Sequence, residues 1–266
     1  SPTITLTSSA SSIAENAGSS LTLTATSSIV ADEDITITIS TTGTGTEGTD
    51  YGTISDITIS AGDTTGTASF TPTDDSIYEG NETGIVAIST VSGGSATEDG
   101  TQSVTITITE NESSPTITLA TSASSIAENA GSSLTLTATL SVATYAAVTV
   151  VIDTSGSATE GTDYASISNI TVNAGATTGT TAFNPTDDTH YDAASAESAT
   201  VSIGSVSGGS ASAGSSNQSV AIVITDNESA PTVTLSTSAD TVADSAADLT
   251  LTATLSHTTY AATTVD

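Results

Sequence analysis

PTITLTSSASSIAENAGSSLTLTAT, at residues 2–26, is the most informative stretch for the fold, because the chain repeats it with only two changes. Residues 115–139 read PTITLATSASSIAENAGSSLTLTAT, and a shorter third version begins at Pro231. In the TITL and LTLT segments, apolar and polar residues alternate with the period of two that is typical of a half-buried β-strand. Ser, Asn and Gly between these segments predict a turn. The stretch therefore predicts successive β-rich domains, each opening with the same pair of strands.

The rest of each copy repeats as well. TEGTDY occurs at residues 46–51 and 159–164, PTDD at 72–75 and 185–188, and ITENES at 108–113 corresponds to ITDNES at 224–229. A repeat of this length is long enough to bury a hydrophobic core of its own. We therefore predict one domain at residues 1–112, a second at 113–228, and the incomplete start of a third at 229–266.

Each full copy contains seven segments with a strand pattern, separated by turn-forming residues. In the first copy these predicted strands, A to G in order, are Thr3–Leu6, Leu21–Thr24, Ile35–Ile39, Ile54–Ile59, Thr67–Thr71, Ile85–Ile88 and Val104–Ile108. No segment shows a helical period. The predicted fold class is all-β, with tandem immunoglobulin-like, seven-stranded antiparallel β-sandwiches.

The net charge of the chain limits the classes of partner that it can bind. The chain has 30 acidic residues, two His and neither Lys nor Arg, which gives a formal net charge of −30. Nucleic acid and anionic membrane surfaces are excluded as electrostatic partners, because no side chain can neutralise phosphate. No apolar run approaches the roughly 20 residues that a membrane helix needs, so no membrane insertion is expected in this segment. No Cys is present, and disulfides therefore contribute nothing.

Nine acids recur at matching positions in the two copies. The first copy has 16 acids and the second has 10, so independent placement would make only about one or two coincide. In the first copy the recurring acids are Glu15, Glu47, Asp50, Asp74, Asp75, Glu79, Glu82, Glu110 and Glu112. Their counterparts in the second are Glu128, Glu160, Asp163, Asp187, Asp188, Asp192, Glu197, Asp226 and Glu228.

All nine positions are predicted to lie at one end of the sandwich. Consecutive strands run in alternate directions, so the AB, CD and EF loops and the end of strand G share one pole. Like charges brought together are costly unless a cation neutralises them. Oxygen ligands contributed by flexible loops suit Ca²⁺, and suit the stricter octahedron of Mg²⁺ less well. Zinc and copper are disfavoured, because Cys is absent and neither His190 nor His257 has a ligand-spaced partner.

The ordered motifs resemble the Calx-β domain. They are Pro-x-Ile-x-Leu, a Glu before a Gly-containing turn, Gly-Thr-Asp-Tyr, Asp-Asp-x-x-Tyr and a closing Ile-Thr-Glu/Asp-Asn-Glu. The resemblance covers both full copies and the start of the third, and it implies Ca²⁺ binding at the pole described above. The ligands it implies are Glu15, Asp50, Asp74, Asp75, Glu110 and Glu112, then Glu128, Asp163, Asp187, Asp188, Asp226 and Glu228. Asn111 and Asn227 interrupt the closing acids, which implies fewer ions or weaker binding than in copies with three successive acids.

Taken together, these features predict a calcium-binding structural or adhesive segment of a long extracellular or cell-surface rod or filament, in which Ca²⁺ rigidifies the junctions. The predicted partners are neighbouring repeats of the same protein and other copies in a filament. No enzyme activity is expected, because no nucleophile motif, aromatic sugar platform or basic residue accompanies the paired carboxylates. Two alternatives stay open, a regulatory calcium sensor of a membrane transporter and a carbohydrate- or ligand-binding surface domain.

The third copy is expected to be incomplete as a sandwich. It contains strands A and B and only the opening of strand C. The partner strands that would cover Val233, Leu235, Leu249 and Leu251 are therefore missing from residues 229–266. We expect further chain, or strand addition by a neighbouring molecule, to complete it.

Overall fold

Strands account for all the regular structure that the chain shows. The computed structural model describes residues 1–191, 197–245, 248–259 and 262–265, and no helix occurs among them. The predicted all-β class is therefore confirmed. The chain divides into two compact units. Unit 1 contains Ser1–Ser114 and Val142–Tyr145, and unit 2 contains Pro115–Ser141 and Ala146–Asp266.

Ten strands lie in the first repeat. They are β1 (Thr3–Ser8), β2 (Ser12–Ala14), β3 (Leu21–Ser27), β4 (Ile35–Gly43), β5 (Ile57–Ile59), β6 (Thr65–Phe70), β7 (Ile77–Tyr78), β8 (Glu82–Ser92), β9 (Thr97–Glu98) and β10 (Ser103–Thr109). One sheet has the order β6-β3-β1-β9 and the facing sheet has the order β2-β10-β8-β4-β5. This is the predicted two-sheet sandwich.

The second repeat has the same arrangement. Its strands are β11 (Thr116–Thr121), β12 (Ser125–Ala127), β13 (Leu134–Leu140), β14 (Ala143–Thr144), β15 (Val148–Gly156), β16 (Ile170–Val172), β17 (Thr178–Phe183), β18 (Glu197–Ser207), β19 (Ser212–Ala213) and β20 (Ser219–Thr225). Its sheets have the orders β17-β13-β11-β19 and β12-β20-β18-β15-β16. The start of the third repeat forms the antiparallel pair β21 (Val233–Thr237) and β22 (Leu251–Leu255).

Each unit has a core made of the inward-facing residues of its two sheets. In unit 1, Ile4, Leu23, Ile37 and Ile106 are each fully buried. A stacked aromatic pair closes the core near the acidic loops in both units. The rings of Tyr51 and Phe70 lie 4.6 Å apart, and those of Tyr164 and Phe183 lie 4.8 Å apart. Each Tyr directly follows an acid of the CD loop, so the stack anchors that loop to the core.

All seven predicted strands are present, with two differences. Strand D is shorter than predicted, because the segment before Ile57 turns back on the CD loop and Ile54 donates its N–H to Glu47. Strand A is followed by a separate strand, β2, in the opposite sheet. There β2 pairs in parallel with β10, which brings Ala14 opposite Thr109. No helix among the described residues is long and apolar enough to cross a membrane.

Candidate metal centre

The parallel pairing of β2 with β10 creates the first acidic cluster. Since Ala14 lies opposite Thr109, the residues that follow both strands leave the same edge of the sheet side by side. Those residues are Glu15 and Glu110, and the Glu15 N–H donates to the Thr109 carbonyl at 3.1 Å. Glu112 completes the group two residues further on. The backbone register therefore places Glu15 beside Glu110, and the turn in which the Glu112 N–H donates to Glu110 Oε1 brings in the third carboxylate.

One oxygen each from Glu15, Glu110 and Glu112 lies within 4.8 Å of the other two. Two oxygens bound to the same Ca²⁺, each at about 2.3–2.6 Å, are at most about 5 Å apart, so this spacing allows a shared ion. Glu15 Oε1 and Glu112 Oε2 are buried and accept no hydrogen bond. A buried carboxylate oxygen without a donor is unfavourable, and a bound cation would remove that penalty.

Crowding of the three carboxylates changes their pKa values. Burial, together with the neighbouring carboxylates of Glu112 and Glu110, raises the pKa of Glu15 to about 8. The side chain of Glu110 and burial raise the pKa of Glu112. Burial also opposes ionisation of Glu110, yet hydrogen bonds from the backbone hold its pKa below the ordinary value. The pole is therefore a place where negative charge is crowded and uncompensated.

A second cluster lies at the same pole and consists of Asp50, Glu79 and Glu82. Asp50 stands before the buried Tyr51, and its Oδ2 accepts the Thr46 N–H at 2.5 Å. Glu79 follows β7 and Glu82 opens β8. Burial, with the nearby charges of Asp50, Glu79 and Glu110, raises the pKa of Glu82 to about 7. Burial and the charges of Asp50, Asp75 and Glu110 raise the pKa of Glu79.

Glu110, a member of the first cluster, also contacts the backbone beside the second. Its Oε2 accepts the N–H groups of Glu79 at 2.6 Å and Gly80 at 2.8 Å. Its Oε1 accepts the N–H groups of Asn111 at 3.0 Å and Glu112 at 3.1 Å. The Glu110 carboxylate therefore ties the EF loop to the end of strand G and keeps one edge of each cluster in position.

The second repeat reproduces the first cluster with Glu128, Asp226 and Glu228. Ala127 lies opposite Thr225 in the parallel pair of β12 and β20, so Glu128 lies beside Asp226 for the same reason of register. Glu228 Oε2 is buried and without a hydrogen-bond partner. Burial is the main cause that raises the pKa of Glu128 to about 7. Glu128 and Asp187 also line an open cleft of about 470 Å³.

Other predicted ligands stand apart from these clusters. Asp74 and Asp75 are exposed, and Asp75 Oδ1 accepts the Ile77 N–H at 2.7 Å. Asp188 Oδ1 accepts the His190 N–H at 2.6 Å, and Asp163 Oδ2 accepts the Thr159 N–H at 2.6 Å. Within the described parts of the chain, Asp74, Asp75, Asp163, Asp187 and Asp188 do not belong to a three-acid cluster. Asp192, the counterpart of Glu79, lies outside the described residues.

Glu79 and Glu82 are recurring acids that the ligand set implied by the family resemblance does not include, yet they cluster with Asp50. A signal for them existed, because both recur and both flank the short turn between β7 and β8. Glu47 also recurs, but it stabilises a loop and does not belong to either cluster. Both of its oxygens accept hydrogen bonds, from Thr41 Oγ1 at 2.6 Å and the Ile54 N–H at 3.0 Å. It therefore holds the CD loop in place and has no oxygen left without a donor.

The donor set suits a hard divalent cation. All the clustered groups are carboxylates, and unpaired oxygens occur in both repeats. The chain contains no Lys or Arg that could neutralise these carboxylates. Oxygen-only sites on loops are the kind that Ca²⁺ occupies, whereas zinc prefers nitrogen and sulfur.

Comparison with known proteins agrees with this architecture. Residues 1–112 and again 110–228 match the sequence profile of the Calx-beta domain. Two successive sandwiches, each with an acidic pole, define the chain as a tandem β-sandwich module. More particularly, it belongs to the Calx-beta domain family. A comparison with curated protein sequences gives no match.

Several solved structures are similar to the chain at low sequence identity. CBD12 from CALX1.2 is 16% identical with a TM-score of 0.35, over 80% of this chain and 96% of that one. Invasin, a bacterial integrin-binding protein, is 18% identical with a TM-score of 0.40, over 94% of this chain and 45% of that one. Domains 4 and 5 of the S-layer protein SbsC are 15% identical with a TM-score of 0.26, over 83% and 96%.

Proposed function

We propose that this chain is a calcium-binding, non-catalytic segment of an extracellular or cell-surface protein, and that Ca²⁺ stiffens the junction between successive repeats. The observation that carries the proposal is the cluster of Glu15, Glu110 and Glu112, with its two buried, unpaired oxygens. The equivalent cluster in the second repeat supports it. So does membership of the Calx-beta family, in which Ca²⁺ binding is a known function.

The EF loop links the second acidic cluster to the next repeat, so a cation bound at that cluster can stiffen the junction. Glu79 directly follows β7, and β7 pairs in parallel with β14 inside unit 1. A cation held by Asp50, Glu79 and Glu82 fixes the end of β7. The paired segment of the second repeat is then held more firmly. Exchange of the Tyr145 amide, which donates to the Tyr78 carbonyl at 3.3 Å, should slow when Ca²⁺ is added.

Titration calorimetry and thermal unfolding of the whole chain, in millimolar Ca²⁺ and in chelator, test the proposal. Binding that is confined to the folded state adds about 2.7 kcal/mol at a hundredfold excess over Kd. Mg²⁺ at the same concentration should stabilise less. An unchanged unfolding midpoint with Ca²⁺ would overturn the assignment of a metal site.

Substitutions can distinguish the ligands implied by the family resemblance from the acids that cluster in the structure. Glu15→Gln should weaken binding most in the first repeat, because Glu15 Oε1 is buried and has no hydrogen-bond donor. Asp74→Ala with Asp75→Ala should abolish most of the shift if the ligand set implied by the family resemblance is correct, and should have a small effect if the clustered acids bind alone. Glu33→Gln, an exposed acid remote in sequence from the clusters, is the matched control and should leave binding unchanged.

A further inference from the structure

The EF segment of each full repeat pairs with a segment from the next repeat's sequence. In unit 1, Ala143 lies opposite Ile77 and Thr144 opposite Tyr78 in the parallel pair of β14 and β7. By sequence β14 lies between strands B and C of the second repeat, yet its residues belong to unit 1. Thr144 is fully buried there. The pairing therefore gives the BC segment a partner outside its own sandwich.

Unit 2 contains the same pairing one repeat later. Tyr191 forms a parallel bridge with Thr259, and the Tyr191 N–H donates to the Thr258 carbonyl at 3.0 Å. Counted from the aligned motifs, Tyr191 corresponds to Tyr78 and Thr259 corresponds to Thr144. Two independent occurrences of one pairing indicate a property of the repeat rather than of a single loop.

The first repeat presents the same segment without such a partner among the described residues. Ile35 and Val148 open equivalent strands, so Ile29–Ala31 correspond to Val142–Thr144. Ile29 and Val30 are each 54% exposed. They are large apolar side chains, whereas the equivalent Val142 and Ala143 are half-buried against their partner. The Ile29 and Ala31 carbonyls accept hydrogen bonds from Ser27 Oγ and the Gly62 N–H, whereas the Val30 carbonyl and the Asp32 N–H have no partner among the described residues. Adjacent exposed apolar residues beside such free backbone groups are typical of a strand-addition site.

We propose that residues 29–31 form a docking edge for the EF segment of another repeat of this type, placed before residue 1. The incoming segment adds in parallel, with its Ile opposite Val30 and its Tyr opposite Ala31. The Asp32 N–H then donates to the incoming Tyr carbonyl, as Tyr145 does to Tyr78. The incoming Tyr N–H donates to the Val30 carbonyl, as Tyr191 does to Thr258. This surface is separate from the acidic clusters.

Charge distinguishes this edge from its equivalent in the second repeat. Asp32, Glu33 and Asp34 follow the edge, whereas Tyr145, Ala146 and Ala147 follow β14. An incoming EF segment carries Asp-Asp before its strand and Glu after it, so the two acidic stretches repel each other. Salt screens such repulsion between exposed charges. Docking at residues 29–31 should therefore strengthen with ionic strength, unlike the pairing of β7 with β14.

The test is a chain in which residues 1–113 are added before Ser1 of the full 266-residue protein, so that Ser1 takes the place of Ser114 at the new junction. Segmental isotope labelling separates the two copies, and amide exchange is followed by NMR in chelator at low and high salt. At high salt the Asp32 amide of the original chain should exchange at least tenfold more slowly than in the protein without the added repeat. The Tyr145 amide is the internal control and should be protected in both proteins.

A double variant supplies the matched control. Ile29→Ser with Val30→Ser changes two exposed residues, so it should leave the unfolding of the original chain unchanged while removing the new protection in the extended one. Equal exchange of the Asp32 amide with and without the added repeat, at both salt concentrations, overturns the proposal. Protection that appears in the original chain as its concentration rises assigns the edge to contacts between molecules and also overturns it. Because the measurement is made without Ca²⁺, its failure is distinguishable from failure of the calcium site.

Discussion

At the scale of the residue, carboxylates at one pole differ in how their oxygens are used. Both Glu47 oxygens accept hydrogen bonds, one from the Thr41 hydroxyl and one from the Ile54 N–H. Glu15 keeps a buried oxygen with no donor. A carboxylate whose lone pairs are occupied by protein donors stabilises a loop, and one with an empty buried lone pair is available to a cation.

Glu47→Ala should therefore destabilise the first repeat without removing calcium binding. Losing both hydrogen bonds leaves the Ile54 N–H and the Thr41 hydroxyl without their acceptor, which costs about 1–3 kcal/mol. Chemical denaturation would measure the loss, and calorimetry should return a Ca²⁺ Kd close to that of the unaltered chain. A Kd weakened as strongly as by Glu15→Gln would show that Glu47 is itself a ligand.

The raised pKa values predict how stability depends on pH in chelator. The pKa values of Glu15, at about 8, and Glu82, at about 7, lie above that of an unfolded Glu, so the folded state holds protons that the unfolded state releases. That stabilisation is complete below about pH 4.5 and is lost as the pH rises towards 8. Partial solvent exposure reduces it to roughly 1 kcal/mol, or about 3–6 °C in the unfolding midpoint of unit 1.

General repulsion among the 30 acids acts in the same direction, so a variant must separate the two effects. Glu15→Gln should make the midpoint less sensitive between pH 5 and 8, whereas Glu33→Gln should leave the slope unchanged. Saturating Ca²⁺ should remove the part of the fall that comes from the raised pKa values, because bound carboxylates are ionised. Identical slopes in all three chelated proteins would contradict the raised pKa of Glu15.

At the scale of the element, a strand is stable only when the facing sheet covers it. In the second repeat, Ile117 and Leu136 are fully buried in the pair of β11 and β13. In the third copy the equivalent pair, β21 and β22, has Leu235 65% exposed and Leu251 64% exposed. The same alternating pattern thus gives buried side chains in the second repeat and exposed ones in the third, because the described third copy contains no second sheet.

The β21–β22 hairpin should accordingly be the least protected pair of strands in the 266-residue chain. A lone two-stranded hairpin buries too little apolar area to offset its chain entropy. Amide exchange in dilute solution should be at least about a hundredfold faster across β21 and β22 than across β11 and β13, as expected for local opening. Protection of the hairpin equal to that of β11 and β13 would contradict this, and protection only at high concentration would indicate strand addition between molecules.

At the scale of the whole molecule, the chain builds the same sandwich twice, each with its own core. Phe70 stacks on Tyr51 in one unit and Phe183 on Tyr164 in the other. All four side chains are at most 1% exposed. Each pair lies under the acidic loops, so core packing and the candidate metal centre are linked within a unit.

Phe70→Ala should destabilise unit 1 by about 3–5 kcal/mol, the usual loss for a buried aromatic residue, and leave the core of unit 2 intact. Phe183→Ala is the matched variant with the reverse pattern. Amide exchange of β3 and β8, compared with β13 and β18, reports each unit separately. If either substitution raised exchange equally in both pairs of strands, the two cores would not be independent.

The seven strands, the two copies of the sandwich and the pole of the recurring acids could all be predicted from the sequence. Alternation with a period of two sets which side chains face the core, and strand parity sets the end at which each loop lies. Which acids meet could not be predicted, because that depends on strand pairing and turn geometry. The parallel pairing of β2 with β10 brings Glu15 to Glu110, and the turn between β7 and β8 brings Glu79 and Glu82 to Asp50. Alternation carries no information about strand partners or hydrogen-bond acceptors, so the pattern could not separate Glu47, which holds a loop, from Glu15, which has an oxygen free for a cation.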